Sequence, residues 1–269
     1  MHDSYGQSLS GKVALITGAA QRLGKVSALA LASAGAEVAI TFLHSQKEAL
    51  STVNELEAAL GNSGHGALEA FREATKLHRR TNRVQALAVR CDVRNPKSVR
   101  AAIKTVVQKL GGIDILINNA GTYETVDFEK LTLAQWDNVF AVNTRGPFLV
   151  AKEALPHLRE RQGRIINLGS LGGARPWPTH AHYCSSKAAL HMLTKVMAKA
   201  LAPEIAVNCV APGMIELEER NEFAKRMARQ TPLQRNGNAE DVAAAVLFFA
   251  TAPDFITGQI LFVDGGLGL

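Results

Sequence analysis

Four polar residues in the second half of the chain have the types and spacing needed for proton transfer to a bound oxygen. Tyr183 and Lys187 are four residues apart in a segment with helical periodicity, so they share one face of a helix. Ser170 ends a predicted strand thirteen residues before Tyr183, and Asn143 lies in the preceding long helix. An isolated phenol has a pKa near 10, and a neighbouring ammonium favours the lower value that acid–base catalysis requires.

A glycine-containing turn near the start of the chain is suited to binding a phosphate group. The first predicted strand leads into a turn that contains Gly18, Gln21, Arg22, Leu23 and Gly24. Gly18 permits a tight turn, and Gly24 lets the next helix pack against the sheet. The start of that helix presents free N–H groups and the positive end of its dipole. Two glycines after a strand are weak evidence alone, because a purely structural turn has the same pattern.

The residues after the second predicted strand bear on the choice between NADP and NAD. A site selective for NAD usually has an Asp or Glu there to bind the ribose hydroxyls, whereas this chain has Phe42, His44 and Ser45. His44 and Ser45, with Arg22 on the adjacent loop, could contact a 2′-phosphate. We therefore expect NADP(H) in preference to NAD(H). The alternative is that His44 is only a surface histidine.

Further candidates lie at the ends of the third and fourth predicted strands, because the carboxyl ends of parallel strands meet at the ligand crevice. Asp92 can accept a hydrogen bond from an adenine amino group, although it could instead cap the helix that begins at Pro96. Ala120 and Gly121 are small enough for backbone to lie against a ribose. The expected cofactor contacts here are Asp92, Val93, Asn119, Ala120 and Gly121.

The elements that must position these residues are short apolar runs that alternate with longer helical stretches. Most runs are apolar throughout, as in parallel strands buried on both faces. The alternation predicts an α/β, Rossmann-like doubly wound parallel sheet of about seven strands with helices on both faces, in a single domain. The predicted strands are Val13–Thr17, Val38–Phe42, Val84–Val89, Ile113–Ile117, Arg164–Leu168, Ile205–Val210 and Ile260–Val263. The predicted helices are Leu23–Ala34, Gln46–Leu60, Pro96–Leu110, Leu133–Arg161, Tyr183–Ala202 and Ala239–Ala250.

Three segments depart from this regular alternation. We expect a flexible tail over residues 1–9, before a catalytic domain over residues 10–269. Glycines interrupt the chain at the start of residues 61–82, which predicts a helical insertion with an amphipathic helix at Ala67–Arg80. The charged segment over about residues 214–230 lacks a strand pattern and is predicted to be a substrate lid with a helix reaching about Gln230.

Composition excludes several classes of protein. The chain has 269 residues, of which 47% are hydrophobic and 20% are charged, so it is not a disordered protein. Its net charge of +6 is partly local to residues 61–83, which favours a solvated face over a nucleic-acid partner. No apolar run is long enough to span a membrane, and the first ten residues lack the features of a secretory signal. With three cysteines in no metal-ligand spacing, we expect a cytoplasmic protein.

The ordered set of motifs resembles the classical short-chain dehydrogenase/reductase family, including members similar to 3-oxoacyl-carrier-protein reductases and pteridine reductases. The matching pieces run from about Leu9 to the C-terminus and are TGAAQRLG, Asp92, NNAG, Asn143, Ser170, the Tyr183/Lys187 pair, Pro212-Gly213 and Thr257-Gly258-Gln259…Val263-Asp264-Gly265-Gly266. The resemblance implies an NADP(H)-dependent oxidoreductase that reduces a ketone to a secondary alcohol. An NAD-dependent alcohol, sugar or steroid dehydrogenase is the alternative within the family. A non-catalytic nucleotide-sensing protein is the alternative outside it.

The resemblance also implies a role for each catalytic residue. Tyr183 would supply the proton, and Lys187 would lower the pKa of the phenol and bind the nicotinamide ribose. Ser170 would hold the substrate oxygen, and Asn143 would orient a water that relays protons to Lys187. Lowering the pKa of a phenol by about 2–3 units requires about 3–4 kcal/mol. Lys187 would supply part of this free energy, and the positive charge of the oxidised nicotinamide would supply more.

The sequence departs from the family pattern at positions that affect specificity. Arg22 replaces the usual middle glycine, as in the NADPH-dependent pteridine reductases. Those enzymes carry an Asp where this chain has Ser170, so Ser170 favours ordinary carbonyl reduction, with a 3-oxoacyl thioester or a ring ketone as substrate. Leu217 stands where the family often has a Thr that contacts the carboxamide, which leaves that contact to the backbone, at Ile215, or to another group. The expected cofactor contacts in this segment are Pro212, Gly213, Met214 and Ile215.

The substrate should contact the loop after Ser170 and the segment after Pro212. Trp177, between two prolines, could face an apolar or ring-bearing substrate, or else a neighbouring subunit. The candidate substrate contacts are Ser170, Leu171, Trp177, Tyr183, Met214 and Leu217.

We expect no metal site and no membrane or nucleic-acid partner. The family resemblance implies a homotetramer or homodimer formed by the long helices near Asn143 and Tyr183 and by the C-terminal strand.

Overall fold

The fold is known from a computed structural model that describes residues 9–62, 86–216 and 222–269. Within these ranges, seven strands form one parallel sheet in the order β3-β2-β1-β4-β5-β6-β7. The strands are β1 (Val13–Ile16), β2 (Glu37–Phe42), β3 (Ala86–Arg90), β4 (Ile115–Asn118), β5 (Arg164–Leu168), β6 (Ala206–Pro212) and β7 (Ile260–Val263). The helices are α1 (Arg22–Ser33), α2 (Gln46–Asn62), α3 (Pro96–Leu110), α4 (Leu133–Phe140), α5 (Gly146–Glu160), α6 (Ala181–Leu201), α7 (Glu222–Gln230) and α8 (Ala239–Thr251).

The central strands are apolar throughout because helices cover both faces of the sheet. All four residues of β1 and of β4 are buried. Successive residues of β1 point to opposite faces, so Ile16 joins a core with Leu31 of α1, and Leu15 joins a second core with Leu158 of α5. This arrangement confirms the predicted doubly wound α/β fold, and it brings the loops after β1, β4 and β5 to one edge of the sheet.

The helix predicted over Leu133–Arg161 is interrupted, and in this detail the prediction was wrong. A π-helical turn over Ala141–Arg145 separates α4 from α5. Pro147 lies in the first turn of α5 and has no N–H, so it cannot donate to the carbonyl of Asn143 four residues earlier, as an unbroken α-helix requires. The widened turn therefore occurs at a candidate catalytic residue.

Other predicted segments have different outcomes. α2 extends to Asn62, beyond its predicted end, and the remainder of the predicted insertion lies outside the described residues. α7 agrees with the helix predicted to end near Gln230. Among the described helices, none has the length and apolar character that crossing a membrane requires. The described residues contain no group of three or more His, Cys, Asp or Glu side chains that could hold a metal ion.

Candidate active site

Ser170, Tyr183 and Lys187 lie close together at the carboxyl end of β5. Lys187 is buried, and its Nζ donates to the carbonyl oxygen of Leu168 at 2.6 Å. The same Nζ lies 5.9 Å from the centre of the Tyr183 ring. The Oγ of Ser170 accepts the Gly172 N–H at 3.0 Å, and Ser170 also forms a side-chain hydrogen bond with Tyr183. The structure thus places a phenol, an ammonium and a hydroxyl together, as the sequence predicts.

The electrostatics of this group differ from the prediction. Burial raises the pKa of Tyr183, although its hydrogen bond with Ser170 has the opposite effect. Burial also lowers the pKa of Lys187 to about 8. In this structure, burial of the phenol therefore outweighs the lowering of its pKa that was expected from the Lys187 ammonium.

The side chain of Asn143 joins the loop after β4 to helix α6. Its Oδ1 accepts the Thr122 N–H at 2.9 Å, and its Nδ2 donates to the Thr122 carbonyl at 2.9 Å and to the Ser186 Oγ at 3.1 Å. The Ser186 hydroxyl in turn donates to the Tyr183 carbonyl at 2.7 Å. Ser186 was not predicted, although its position three residues after Tyr183 on one helix could have indicated this contact.

Gly121 borders a space between Asn143 and Lys187. A Cβ atom added at Gly121 would lie 3.5 Å from the Oδ1 of Asn143 and 3.8 Å from the Nζ of Lys187. The glycine therefore leaves room beside both polar groups.

Three rings surround the Tyr183 ring. Trp177 lies nearly parallel to it at 6.0 Å between centroids, and Tyr123 and His180 lie edge-on at 6.0 and 6.4 Å. The loops that carry these rings are joined by the Val126 N–H, which donates to the Thr179 carbonyl at 2.9 Å. Tyr123 was not predicted, although its place two residues after the NNAG motif puts it on the same sheet edge.

The remaining candidate substrate residues are not all brought to this cluster. Leu171 is 3% exposed, and its Cδ1 would lie 2.9 Å from a Cβ added at Gly268, so it packs toward the C-terminal segment. Met214 is partly buried just after β6. Leu217 lies outside the described residues.

At the nucleotide end, two glycines allow close contact between the loops after β1 and β4. Gly18 has a φ of +63°, and a Cβ there would lie 2.9 Å from the Ala120 Cα. A Cβ at Gly24 would lie 2.7 Å from the Ala19 Cα and 2.5 Å from the Asn119 Nδ2. We call the space at the start of α1 that Gly18 and Gly24 border the glycine cradle. A side chain at either glycine would fill this space, so the two glycines let a pyrophosphate approach the backbone closely.

Arg22 has the backbone conformation of the glycine it replaces. Its φ is +55°, in the left-handed region, and it is exposed as the first residue of α1. Gln21, also exposed, precedes it in an extended conformation. Leu23 packs against the core, so it can offer a ligand mainly its backbone.

His44 and Ser45 lie at the carboxyl end of β2, where α2 begins. His44 is exposed, and Ser45 accepts the Ala49 N–H of the first helical turn at 3.0 Å. Arg94 binds both carboxylate oxygens of Asp92 and holds the pKa of that carboxyl below its ordinary value. The charge of His44 acts on the pKa of Asp92 in the same direction. Because β2 and β3 pair as far as Phe42 and Arg90, the loops that carry His44 and Asp92 leave the sheet side by side.

Asp92 does not cap the following helix. Asn95 does so, with its Oδ1 accepting the Lys97 N–H at 2.9 Å, so the capping alternative was wrong. The Asp92 carboxylate instead binds Arg94, with Oδ1 2.9 Å from Nε and Oδ2 2.8 Å from Nη2. Val93 is buried, 3.0 Å from the position of a Cβ at Gly146.

The segment after β6 is held in place by backbone hydrogen bonds to β7 and to Gly237. Gly213 donates to the Val263 carbonyl at 2.9 Å. Gly237 donates to the Met214 carbonyl at 2.9 Å and accepts the Glu216 N–H at 2.8 Å. In such a parallel bridge, the N–H and C=O of the intervening residue, Ile215, point to the opposite side.

Comparisons with known proteins identify the family. The model described as "Enoyl-(Acyl carrier protein) reductase" matches residues 64–268. A 3-oxoacyl-[acyl-carrier-protein] reductase of Synechocystis is 36% identical over 265 residues, which cover 97% of this chain and 98% of that protein. A Sinorhizobium meliloti dehydrogenase/reductase superimposes with a TM-score of 0.85 at 34% identity, over 97% of each chain.

The chain belongs to the short-chain dehydrogenase/reductase family. It is therefore an NAD(P)-dependent oxidoreductase that acts on alcohol and carbonyl groups. A blue fluorescent protein from a metagenomic library, solved in complex with NADPH, matches with a TM-score of 0.82 at 31% identity over 98% of this chain and 100% of that one. Family membership confirms the predicted resemblance and the enzyme class, and it favours an enzyme over a non-catalytic nucleotide sensor.

Proposed function

We propose that this protein is an NADP(H)-dependent reductase that converts a ketone into a secondary alcohol, with Tyr183 as the proton donor. The observation that carries the proposal is the meeting of Ser170, Tyr183 and Lys187 at the sheet edge that also holds the glycine cradle. When bound, the dinucleotide supplies a hydride to the carbonyl carbon. A 3-oxoacyl thioester, as named in the relatives, or a ring ketone is the proposed substrate.

Ser170 and Tyr183 act on the substrate oxygen. Because the Ser170 Oγ accepts the Gly172 N–H, its hydroxyl hydrogen is available to donate to that oxygen. Tyr183 holds its proton firmly in the buried site and delivers it as negative charge develops on the oxygen. The ring of Trp177 and the segment with Met214 and Leu217 are proposed to enclose the rest of the substrate, whereas Leu171 is buried against the C-terminal segment.

Lys187 and Asn143 renew the proton on Tyr183. With a dinucleotide bound, Lys187 would exchange the Leu168 carbonyl for the ribose hydroxyls, and its charge would then favour loss of the proton from the phenol. The Asn143 side chain is engaged with Thr122 and Ser186, so its main-chain carbonyl, which Pro147 cannot pair with, is the better acceptor for a relay water. The space beside Gly121 is the proposed route to Lys187.

Selectivity for NADP(H) is proposed to come from exposed groups around the end of β2. Arg22, His44 and Ser45 are assigned to the 2′-phosphate, and Asp92 and Val93 to the adenine. The start of α1 and the loop after β4 would hold the pyrophosphate and ribose, and Ile215 would bind the carboxamide through its backbone. The proposed cofactor contacts are Gly18, Gln21, Arg22, Leu23, Gly24, His44, Ser45, Asp92, Val93, Asn119, Ala120, Gly121, Tyr183, Lys187, Pro212, Gly213, Met214 and Ile215.

An assembly of identical subunits is proposed from the surface of the long helices. A groove of about 840 Å³ runs beside the π turn, lined by residues that include Phe140, Thr144, Phe148 and Leu193. The adjoining exposed apolar residues of α5 and α6 include Phe148, Met192 and Val196. These features support a homodimer or homotetramer contact on this face. A cytoplasmic location stays a prediction.

The direct test is NADPH oxidation with a panel of 3-oxoacyl thioesters and cyclic ketones. We expect Tyr183→Phe to lower kcat at least about a hundredfold while it retains NADPH binding, measured by the fluorescence of the bound nicotinamide. Ser185→Ala removes an exposed hydroxyl from the same helical turn and should leave kcat unchanged. Equal turnover by the wild type and Tyr183→Phe would overturn the proposal, and tighter binding of NADH than of NADPH would favour the NAD-dependent dehydrogenase.

A further inference from the structure

His191 lies beneath the candidate catalytic serine, and none of the roles proposed above uses it. It follows Tyr183 by eight residues and Lys187 by four on α6, so all three share one face of the helix. Its side chain is buried, with a relative exposure of 7% for the residue. A buried histidine this close to reacting groups requires a physical explanation.

The imidazole is enclosed by the two glycines that flank the Ser170 turn. A Cβ added at Gly169 would lie 2.5 Å from the His191 Nε2, and one added at Gly173 would lie 2.6 Å from its Cε1. Neither position can carry a side chain unless the ring moves. The turn that holds Ser170 is therefore folded around the imidazole.

The His191 Nε2 is the acceptor for the backbone N–H of Ser170, at 3.5 Å. The neighbouring strand β6 does not provide an acceptor for this N–H. The last hydrogen bond between the end of β5 and β6 runs from the Gly169 N–H to the Val210 carbonyl at 2.7 Å. The Gly172 N–H in the same turn is already paired with the Ser170 Oγ. Without His191, the Ser170 N–H would be a buried donor with no acceptor.

This contact requires a neutral ring with its proton on Nδ1. The groups that face it are Lys187 and Lys195 on α6, the Cys209 Sγ of β6 and the ring of Phe262 of β7, which is edge-on at 6.0 Å. Burial, followed by the charges of Lys187 and Lys195, lowers the pKa of His191 to about 4. The Nε2 lone pair is therefore available at neutral pH.

We propose that His191 is a positioning residue that fixes the turn carrying Ser170 and so directs the Ser170 Oγ toward Tyr183 and the substrate oxygen. This inference rests on the proposed function, because it assumes that Ser170 contacts the substrate. His191 itself does not contact the reacting atoms. Its effect is transmitted through one backbone hydrogen bond and the close packing against Gly169 and Gly173.

The test compares His191→Leu, which removes the acceptor, with His191→Gln, whose amide oxygen can replace it. We expect His191→Leu to lower kcat for ketone reduction about tenfold, with NADPH affinity unchanged, because only the geometry of Ser170 is relaxed. His191→Gln should restore kcat to within about threefold of the wild type. If the His191→Leu variant does not fold, His191→Met is used in its place, because it also lacks the acceptor. An unchanged kcat in the acceptor-free variant, or an equal loss in a folded His191→Gln, would overturn the proposal.

A double-mutant cycle with Ser170→Ala separates this inference from the proposed function. If His191 acts through Ser170, His191→Leu should cause no further loss of kcat in a Ser170→Ala background. Independent, additive losses would contradict the positioning role. If Ser170→Ala alone turns over as fast as the wild type, the role proposed for Ser170 is wrong, which is a separate outcome.

Discussion

The two ends of the cleft are built differently. At the chemical end, Asn143, Ser186 and Lys187 are buried and are tied to neighbouring loops by hydrogen bonds. At the nucleotide end, Arg22 and His44 are exposed, and the tight contacts are between backbone atoms around the glycines. Substitutions at the chemical end should therefore change turnover and stability together. Charge substitutions at the nucleotide end should change cofactor selectivity with much smaller effects on turnover.

The largest expected effect comes from replacing the buried lysine. Lys187→Met should lower kcat at least about a thousandfold, because both the ribose contact and the charge beside Tyr183 are lost. In the absence of cofactor it should raise the free energy of unfolding at pH 7 by about 3 kcal/mol, because a desolvated charge is removed. Urea unfolding of the cofactor-free proteins measures this difference.

The stability gain from Lys187→Met should depend on pH. The folded-state pKa of Lys187, about 8, lies below its ordinary value of 10.5. Between these values the unfolded chain binds more protons, so the stability of the wild type rises with pH and the advantage of the variant disappears. Lys104→Met, at an exposed position on α3, serves as the control. A variant less stable than the wild type at pH 7 would contradict the proposed cost of the buried charge.

At the nucleotide end, the largest effect should come from the cradle. Gly24→Ala places a Cβ 2.7 Å from the Ala19 Cα and 2.5 Å from the Asn119 Nδ2, so α1 must move away from the loop after β1 and from Asn119. We expect a loss of about 2–4 kcal/mol in the free energy of unfolding and weaker binding of both NADPH and NADH. Gly11→Ala is the comparison variant, because Gly11 has a φ of +78° but no atom within 4 Å of its Cβ position, so only the left-handed backbone should cost stability there, by about 1 kcal/mol. If the two variants lose equal stability, close packing at Gly24 does not matter.

The smallest effect should come from Arg22, where two properties can be separated. Arg22→Gly relieves the left-handed backbone and should raise stability by about 1 kcal/mol. Arg22→Ala removes the same charge but keeps the unfavourable φ. Both variants should bind NADPH about tenfold more weakly and NADH equally well, as measured by nicotinamide fluorescence. Unchanged NADPH affinity in both would exclude Arg22 from the 2′-phosphate site.

The sequence was sufficient for the α/β class, for the approximate positions of the strands and for the residues grouped by motif, because apolar runs and helical spacing are local patterns. It was insufficient for contacts that depend on tertiary structure. The hydrogen bond of Asn143 with Ser186 joins residues 43 positions apart, and the burial that raises the pKa of Tyr183 depends on the packing of several loops around its ring. The π turn at Asn143 could have been suspected from Pro147, which follows it by four residues.

The ionisation of the Tyr183 phenol reports whether this residue is the proton donor. The chain has three tyrosines, so the ultraviolet difference titration of the wild type minus Tyr183→Phe isolates this phenol. Without cofactor, its pKa should lie above the ordinary value of 10.0. With NADP⁺ bound, it should fall by about 2 units or more, since positive charge is brought beside the ring and Lys187 is drawn from the Leu168 carbonyl. The same pKa in both states would contradict the assignment of Tyr183 as the proton donor activated by the bound dinucleotide.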